Sequence, residues 1–300
     1  MKITLKSAYS FSGLGHRKNQ EDSRYPDTDS IAAADCQRCY LVCDGVGGEA
    51  KGEVASRVAA DAIGQYIDGI PFDRPFTEAD LSIALARGYE AIDIADNGER
   101  NRMATTMTLV VFHPGGATVS HIGDSRIYQI RPGVGIRYRS EDHSLVNALV
   151  RTGNITPEEA PNHPMSNVIT RCMTSDPKQE RHNATTITLT DVAPGDVFIL
   201  ASDGVLHCVD DRRLVEIVSS ELPDADKCEI LRRESEDSTD NNTLWMVTVA
   251  DVEGVVTPRE VIVPDGCTRP LPKAPDSTAD VAPAQRKSFI DRLAFWRKKG

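Results

Sequence analysis

The chain has 300 residues, with 45 acidic against 34 basic side chains and a formal net charge of −11. That balance argues against a nucleic-acid surface and fits a protein that gathers cations on clustered carboxylates. With 40% apolar and 26% charged residues, the composition is that of a globular protein with room for one or two domains. The opening segment MKITLKSAYSFSGLG lacks the apolar core of a secretory signal, and no apolar run approaches the roughly 18 residues of a membrane span. Seven cysteines form no repeating framework, so a cytoplasmic protein with reduced thiols is expected. Cys36-x-x-Cys39, with Cys43 nearby, has no second Cys or His pair at ligand spacing, which weighs against zinc.

In chain order, CYLVCDG (39–45) predicts a buried strand that delivers Asp44 to its own end. Gly45, Gly47 and Gly48 follow, and then a helix over 53–68. On that helix Val54, Val58, Ala62 and Tyr66 make one stripe, with Ala55, Ala59, Ile63 and Ile67 beside it. Thr77-x-x-Asp80 is a capping box that opens a second helix towards Asp96, with Leu81, Leu85, Tyr89 and Ile92 inward. TTMTLVVF (105–112) and ATVSHIGDSRIYQIR (117–131) flank His113-Pro114-Gly115-Gly116 and predict a hairpin. DHSLVNALVRTG (142–153) predicts a short helix closed by Gly153, and further strands are expected at 185–192, 196–204 and 244–252. Strands in hairpins plus two long amphipathic helices imply an α+β protein of packed sheets covered by helices, not a doubly wound parallel sheet. After about residue 255 the composition shifts. Residues 264–285 hold five prolines, and RKSFIDRLAFWRKKG (286–300) holds six basic residues against one acidic. We expect a folded domain over 1–255, a Pro-rich linker over 256–285 and a basic amphipathic tail over 286–300. On a helix, Phe289, Leu293 and Trp296 of that tail share a face able to meet an anionic membrane surface or a partner's groove.

Acidic residues recur at strand tips: Glu21-Asp22, Asp44, Gly123-Asp124, Asp203-Gly204 and Asp240. Each alone is an ordinary turn or cap residue. Together they would repel one another in a low dielectric, and a divalent cation removes that penalty. An oxygen-only set points to a hard ion, Mg²⁺ or Mn²⁺, and Gly45 lets its carbonyl join the set. Arg17, four residues before Glu21, offers a planar fork for a phosphate held beside such ions.

The order Arg17…Glu21-Asp22, DGVGGEAKGEVAS, ATTMT, IGDSRIY, EDHSLVNALVRTGNITPEEA…NHPMSNVITR, GDVFILASDG and DNNT resembles the metal-dependent protein phosphatases, the PPM or type 2C family, in its bacterial form. The resemblance covers about residues 8–250. It implies a four-layer αββα sandwich, two antiparallel sheets flanked by helices, with two metal ions at one end and room for a third. Asp44 would bridge two ions, Asp203 and Asp240 would complete one set, and Glu21 with the Gly45 carbonyl would serve the other. Asp22 would stand one layer back or bind through water, so which of Glu21 and Asp22 lies closer stays open. Asp124, with Asp203, resembles the pair that holds the third ion. The implied chemistry is phosphoserine and phosphothreonine hydrolysis by direct attack of a metal-bridging hydroxide, with Arg17 gripping the phosphate and no phosphoenzyme. Phosphoproteins as substrates, a cognate kinase and a monomeric state are expected, and no nucleic acid. The alternative is a catalytically silent phosphoprotein scaffold of the same fold. Val46 stands where some eukaryotic members carry a proposed acid, so that residue cannot protonate the leaving group. MATT, in place of Met-Gly-Thr-Thr, and Asn242, in place of Ile, are expected to affect packing only. His143 is expected to be structural.

Overall fold

In the computed structural model, which describes residues 1–32, 38–46, 51–71, 73–98, 103–160, 163–175 and 181–254, strand β4 (Cys39–Asp44) is buried on both faces. Its Cys39, Leu41 and Cys43 enter one apolar cluster, whereas Tyr40 and Val42 enter another. Period-two alternation with apolar residues on both sides is the mark of a strand between two covering layers.

β4 lies in a five-stranded sheet of order β11-β7-β6-β4-β2, formed with β2 (Asp22–Tyr25), β6 (Met107–His113), β7 (Gly116–Ile122) and β11 (Thr185–Leu189). The second sheet has six strands in the order β3-β1-β13-β12-β8-β9. They are β1 (Lys2–Gly13), β3 (Ser30–Ala32), β8 (Arg126–Arg131), β9 (Gly135–Arg139), β12 (Val197–Ala201) and β13 (Asn242–Glu253). The ladders in both sheets are antiparallel. A two-stranded ribbon joins β5 (Ala104–Thr105) to β10 (Met173–Thr174).

Three apolar clusters define the layers. Helices α1 (Gly52–Asp68) and α2 (Glu78–Asp96) cover the five-stranded sheet through Ala59, Ile63, Ile92 and Leu109. The sheets meet through Tyr40, Val110, Phe198 and Trp245, with Trp245 edge-on to Tyr40 at 5.0 Å between ring centres. Helices α5 (Asp211–Ser219) and α6 (Asp224–Glu234) close the far face through Leu214, Leu231 and Met246. The expected four-layer αββα sandwich is the observed one.

Thr77 and Asp80 form the expected capping box, and the Arg74 fork on Asp80 at 2.6 and 2.7 Å holds its carboxyl well below the usual range. Four expectations need correction. The run 117–131 is two strands in different sheets, β7 and β8, because Gly123 breaks it at φ +107°, where a side chain is strained. The 142–153 helix is shorter, α3 (Leu145–Arg151), and Asp203-Gly204 opens a one-turn helix, α4 (Asp203–Leu206), in place of extending β12. On α1 the buried stripe is Ala55, Ala59, Ile63 and Ile67, with Val54, Val58 and Tyr66 only partly covered. The linker and tail expected over 256–285 and 286–300, and Cys36, Gly47 and Gly48, lie outside the described residues.

Candidate metal centre

The β2–β4 pairing places Asp22 directly opposite Asp44. Like charges opposed on a ladder destabilise it. From the other sheet, β12 ends at Ala201, and Ser202 carries the chain into Asp203. Ser202 Oγ donates to Asp22 Oδ2 at 2.8 Å and accepts from the Thr243 N–H at 2.9 Å. That hydroxyl therefore ties the two sheets together at one end, where Asp124 follows β7 and Asp240 precedes β13.

The electrostatics record the crowding. Burial first, and then Asp22, Asp203, Asp124 and Asp240, push the Asp44 carboxyl well above its ordinary range. Burial likewise raises Asp22 to about 7, with Asp203 and Asp240 adding to the rise. Asp124 is also raised to about 7 by burial, Asp203 and Asp142. Asp203 is raised chiefly by burial, against the opposing pull of His207. One oxygen of Asp22 and one of Asp203 are buried without a hydrogen-bond partner. Orphaned carboxylate oxygens in a crowded acidic cluster are the situation a hard cation resolves, and an oxygen-only set fits Mg²⁺ or Mn²⁺. Among the described residues no three His, Cys, Asp or Glu side chains form a ready-made cage.

The backbone around them is held stiffly. Asp44 N–H donates to Thr106 Oγ1 at 3.0 Å, and its carbonyl accepts from Thr106 N–H at 2.7 Å and Thr105 Oγ1 at 2.9 Å. Gly45 N–H donates to Glu21 O at 3.0 Å, and a Cβ at Gly45 would come within 2.7 Å of that oxygen and 2.6 Å of Gly52 backbone. Asn241 Oδ1 accepts from Glu21 N–H at 2.8 Å, its Nδ2 donates to Leu14 O, and its N–H donates to Asp240 Oδ1.

Of the residues singled out from the sequence, Asp22, Asp44, Asp124, Asp203 and Asp240 converge. Asp22 lies inside the group. Glu21 stands at its margin, raised by burial and by Glu53 and Asp240 but not among the groups that perturb Asp44. Arg17 does not present an idle fork: its Nη2 donates to Asp240 Oδ2 at 2.6 Å, and its Nη1 is 4.0 Å from Glu21. His143 is structural, accepting from Gly123 N–H at 3.1 Å, bonded to Thr185 Oγ1 at 2.8 Å and stacked on His121 at 4.5 Å. Burial holds it down to about 3. The supports missed in the sequence are Ser202, Thr105, Thr106 and Asn241. Ser202 and Asn241 adjoin Asp203 and Asp240 in the sequence, whereas Thr105 and Thr106 stand beside no aspartate.

The sequence model described as Protein phosphatase 2C matches residues 13–236. The chain is 32% identical over 200 residues to the serine/threonine protein phosphatase PstP of Mycobacterium tuberculosis, a match covering 67% of this chain but only 36% of that protein. It is 32% identical over 216 residues to the protein phosphatase PhpP of Streptococcus pneumoniae, covering 70% of this chain and 85% of PhpP. Among solved structures, the PstP catalytic domain in complex with two manganese ions superimposes with a TM-score of 0.65 at 29% identity, over 81% of this chain and 98% of that one.

Proposed function

Because the chain belongs to the protein phosphatase 2C family, matched over residues 13–236, we propose that it is a divalent-cation-dependent phosphatase of phosphoserine and phosphothreonine in proteins. The observation that carries this reading is the gathering of Asp22, Asp44, Asp124 and Asp203, each raised by burial and by neighbouring carboxylates, Asp240 among those neighbours, with one buried oxygen of Asp22 and one of Asp203 left unpartnered. Asp44 would be shared between two ions, Mn²⁺ or Mg²⁺. Asp203 and Asp240 would complete one set, and the Gly45 carbonyl with Asp22 or Glu21 the other. Asp124 with Asp203 would take a third. Bound there, the ions supply the positive charge that acidifies water and neutralises a phosphoryl group.

The chain's own residues do the rest. Thr105 and Thr106 fix the Asp44 backbone on both sides. Ser202 holds Asp22 against rotation. Arg17 is half-exposed at the rim, and a phosphate arriving beside Asp240 would accept its second guanidinium edge. Val46 carries no proton for the leaving oxygen. The Cys39 and Cys43 thiols are pushed up by burial, so neither supplies a thiolate nucleophile. PhpP and PstP are named as protein phosphatases. On that likeness we extend the proposal to phosphoprotein substrates, a cognate kinase and a monomeric, cytoplasmic protein. Among the described residues no helix is long and apolar enough to cross a membrane. Membrane or partner contact through 286–300 is proposed from the sequence alone. No feature of the site favours the silent scaffold.

The test is hydrolysis of a small aryl phosphate and then of phosphopeptides by the purified chain. Turnover should require Mn²⁺ or Mg²⁺, disappear in EDTA and return on adding excess metal; equal turnover in EDTA would sink the reading. Arg17→Ala should raise KM about tenfold with a smaller change in kcat, because the guanidinium binds phosphate in ground and transition states alike. Arg17→Lys should recover only part of that loss. Since Arg17 also occupies Asp240 Oδ2, the Mn²⁺ concentration for half-activation should not rise in either variant. Unchanged KM in both variants would make Arg17 only a partner of Asp240.

A further inference from the structure

β12 and β13 carry their aspartates at one end, and the other end of the same strands borders a cavity of about 350 Å³ beneath α5 and α6. Its polar lining includes Lys6, Asp224, Glu221, Lys227, Ser219 and Thr248. Asp224 Oδ2 accepts from Ser7 Oγ at 3.0 Å and meets the Lys6 ammonium at 3.1 Å. Lys227 is only 8% exposed, yet its ammonium lies 3.8 Å from Asp224 Oδ1, beyond hydrogen-bond reach, and has no acceptor among the described residues. Thr248 is 5% exposed with Oγ1 unpartnered, and Ser219 Oγ is likewise buried and unpartnered.

A nearly buried cation and two orphaned hydroxyls therefore border one cavity. The two unmade hydroxyl bonds are costly, and the ammonium, held by Asp224 only at ion-pair distance, keeps donors to spare. The complement is a small group rich in acceptor oxygens and negatively charged, since that satisfies the ammonium and both hydroxyls at once. Asp224 supplies it only in part: its Oδ2 is taken up by Lys6 and Ser7, and its Oδ1 stays 3.8 Å from the Lys227 ammonium. Glu221, the other acid of the lining, is exposed to solvent. Val197, Val249 and Pro132 wall the space with apolar surface, which strengthens charge–dipole contacts inside it. We propose that this cavity is a binding site for a small oxyanion, held by Lys227, Thr248 and Ser219 at the opposite end of the sandwich from the aspartates.

The test is an amide NMR titration of the full chain in EDTA with inorganic phosphate, sulfate and acetate as separate probes. Saturable shifts are expected at Ser220, Thr248 and Val249, with a Kd on the order of 1 mM or tighter. Lys227→Met and the near-isosteric Thr248→Val should each weaken that binding about tenfold or more, while Asp203→Asn should leave it unchanged. Saturation by phosphate and sulfate but not acetate identifies a tetrahedral anion, and saturation by acetate identifies a carboxylate. The proposal is overturned if none of the three anions produces saturable shifts at these amides up to tens of millimolar. It is equally overturned if both variants bind with wild-type affinity, which would mean an adventitious ion only.

Discussion

Asp44→Asn should lower phosphatase turnover by about three orders of magnitude or more, roughly 4 kcal/mol of transition-state stabilisation, while the metal-free protein becomes more stable. The two signs have one cause. Asp44 is partly buried at the end of β4 and faces Asp22 across the ladder, with Asp203, Asp124 and Asp240 adding their charge. Without a cation its charge is a net penalty to folding. Asparagine keeps the volume and removes the charge, so thermal unfolding in EDTA should occur at a higher temperature than in wild type. Manganese should reverse the order. At about 100 times its Kd a ligand adds roughly 2.7 kcal/mol to the wild-type fold, and the variant should lose most of that gain. Asp203→Asn should behave alike, because one Asp203 oxygen is orphaned in the same cluster. Wild-type turnover in Asp44→Asn, or equal manganese stabilisation of both proteins, would remove Asp44 from the centre.

Strands covered on both faces were the legible part of the fold. β4, β12 and β13 read as unbroken apolar runs because alternate residues enter different cores. β1 did not, although it is 12 residues long. Register shifts between Thr4 and Leu5 and between Leu5 and Ser7 put Leu5 and Ala8, three apart, into the same inter-sheet core. That spacing has neither a strand's period nor a helix's run. α6 was hidden for another reason: of its 11 residues, only Cys228 and Leu231 are apolar and buried. At the site, carboxylates at strand tips announced themselves, since charge at the end of an apolar run is conspicuous. The groups that hold them did not. Ser202 reaches Asp22 across 180 positions and Arg17 reaches Asp240 across 223, so no local pattern encodes either pairing. Inside the ATTMT and DNNT motifs, Thr105, Thr106 and Asn241 grasp backbone, a role the sequence reading did not assign them.

Gly204→Ala should be strongly damaging for a single added methyl. Gly204 sits where α4 passes the chain leading into β13, and a Cβ there would lie 2.0 Å from Asn241 O and 2.9 Å from Asn241 C. Real Cβ contacts essentially never fall below 3.0 Å, so the Asn241 carbonyl must retreat by the difference from 2.0 Å, about 1 Å. The obstacle is backbone, which cannot swing away as a side-chain tip would. Asn241 also accepts the Glu21 N–H and donates to Asp240, so the retreat drags both flanks of the cluster with it. We expect about 3 kcal/mol of destabilisation in urea unfolding, together with weakened manganese binding read from thermal shifts. Gly98→Ala separates collision from backbone strain. Gly98 has φ +73° and nothing within 4 Å of its Cβ position, so that variant should lose only about 1 kcal/mol and no metal affinity. Should Gly204→Ala prove too unstable to purify, its residual fold can still be compared in cell-free extracts by pulse proteolysis with and without Mn²⁺. Stability and manganese response equal to those of Gly98→Ala would show that the α4–β13 junction yields easily and does not position Asp240.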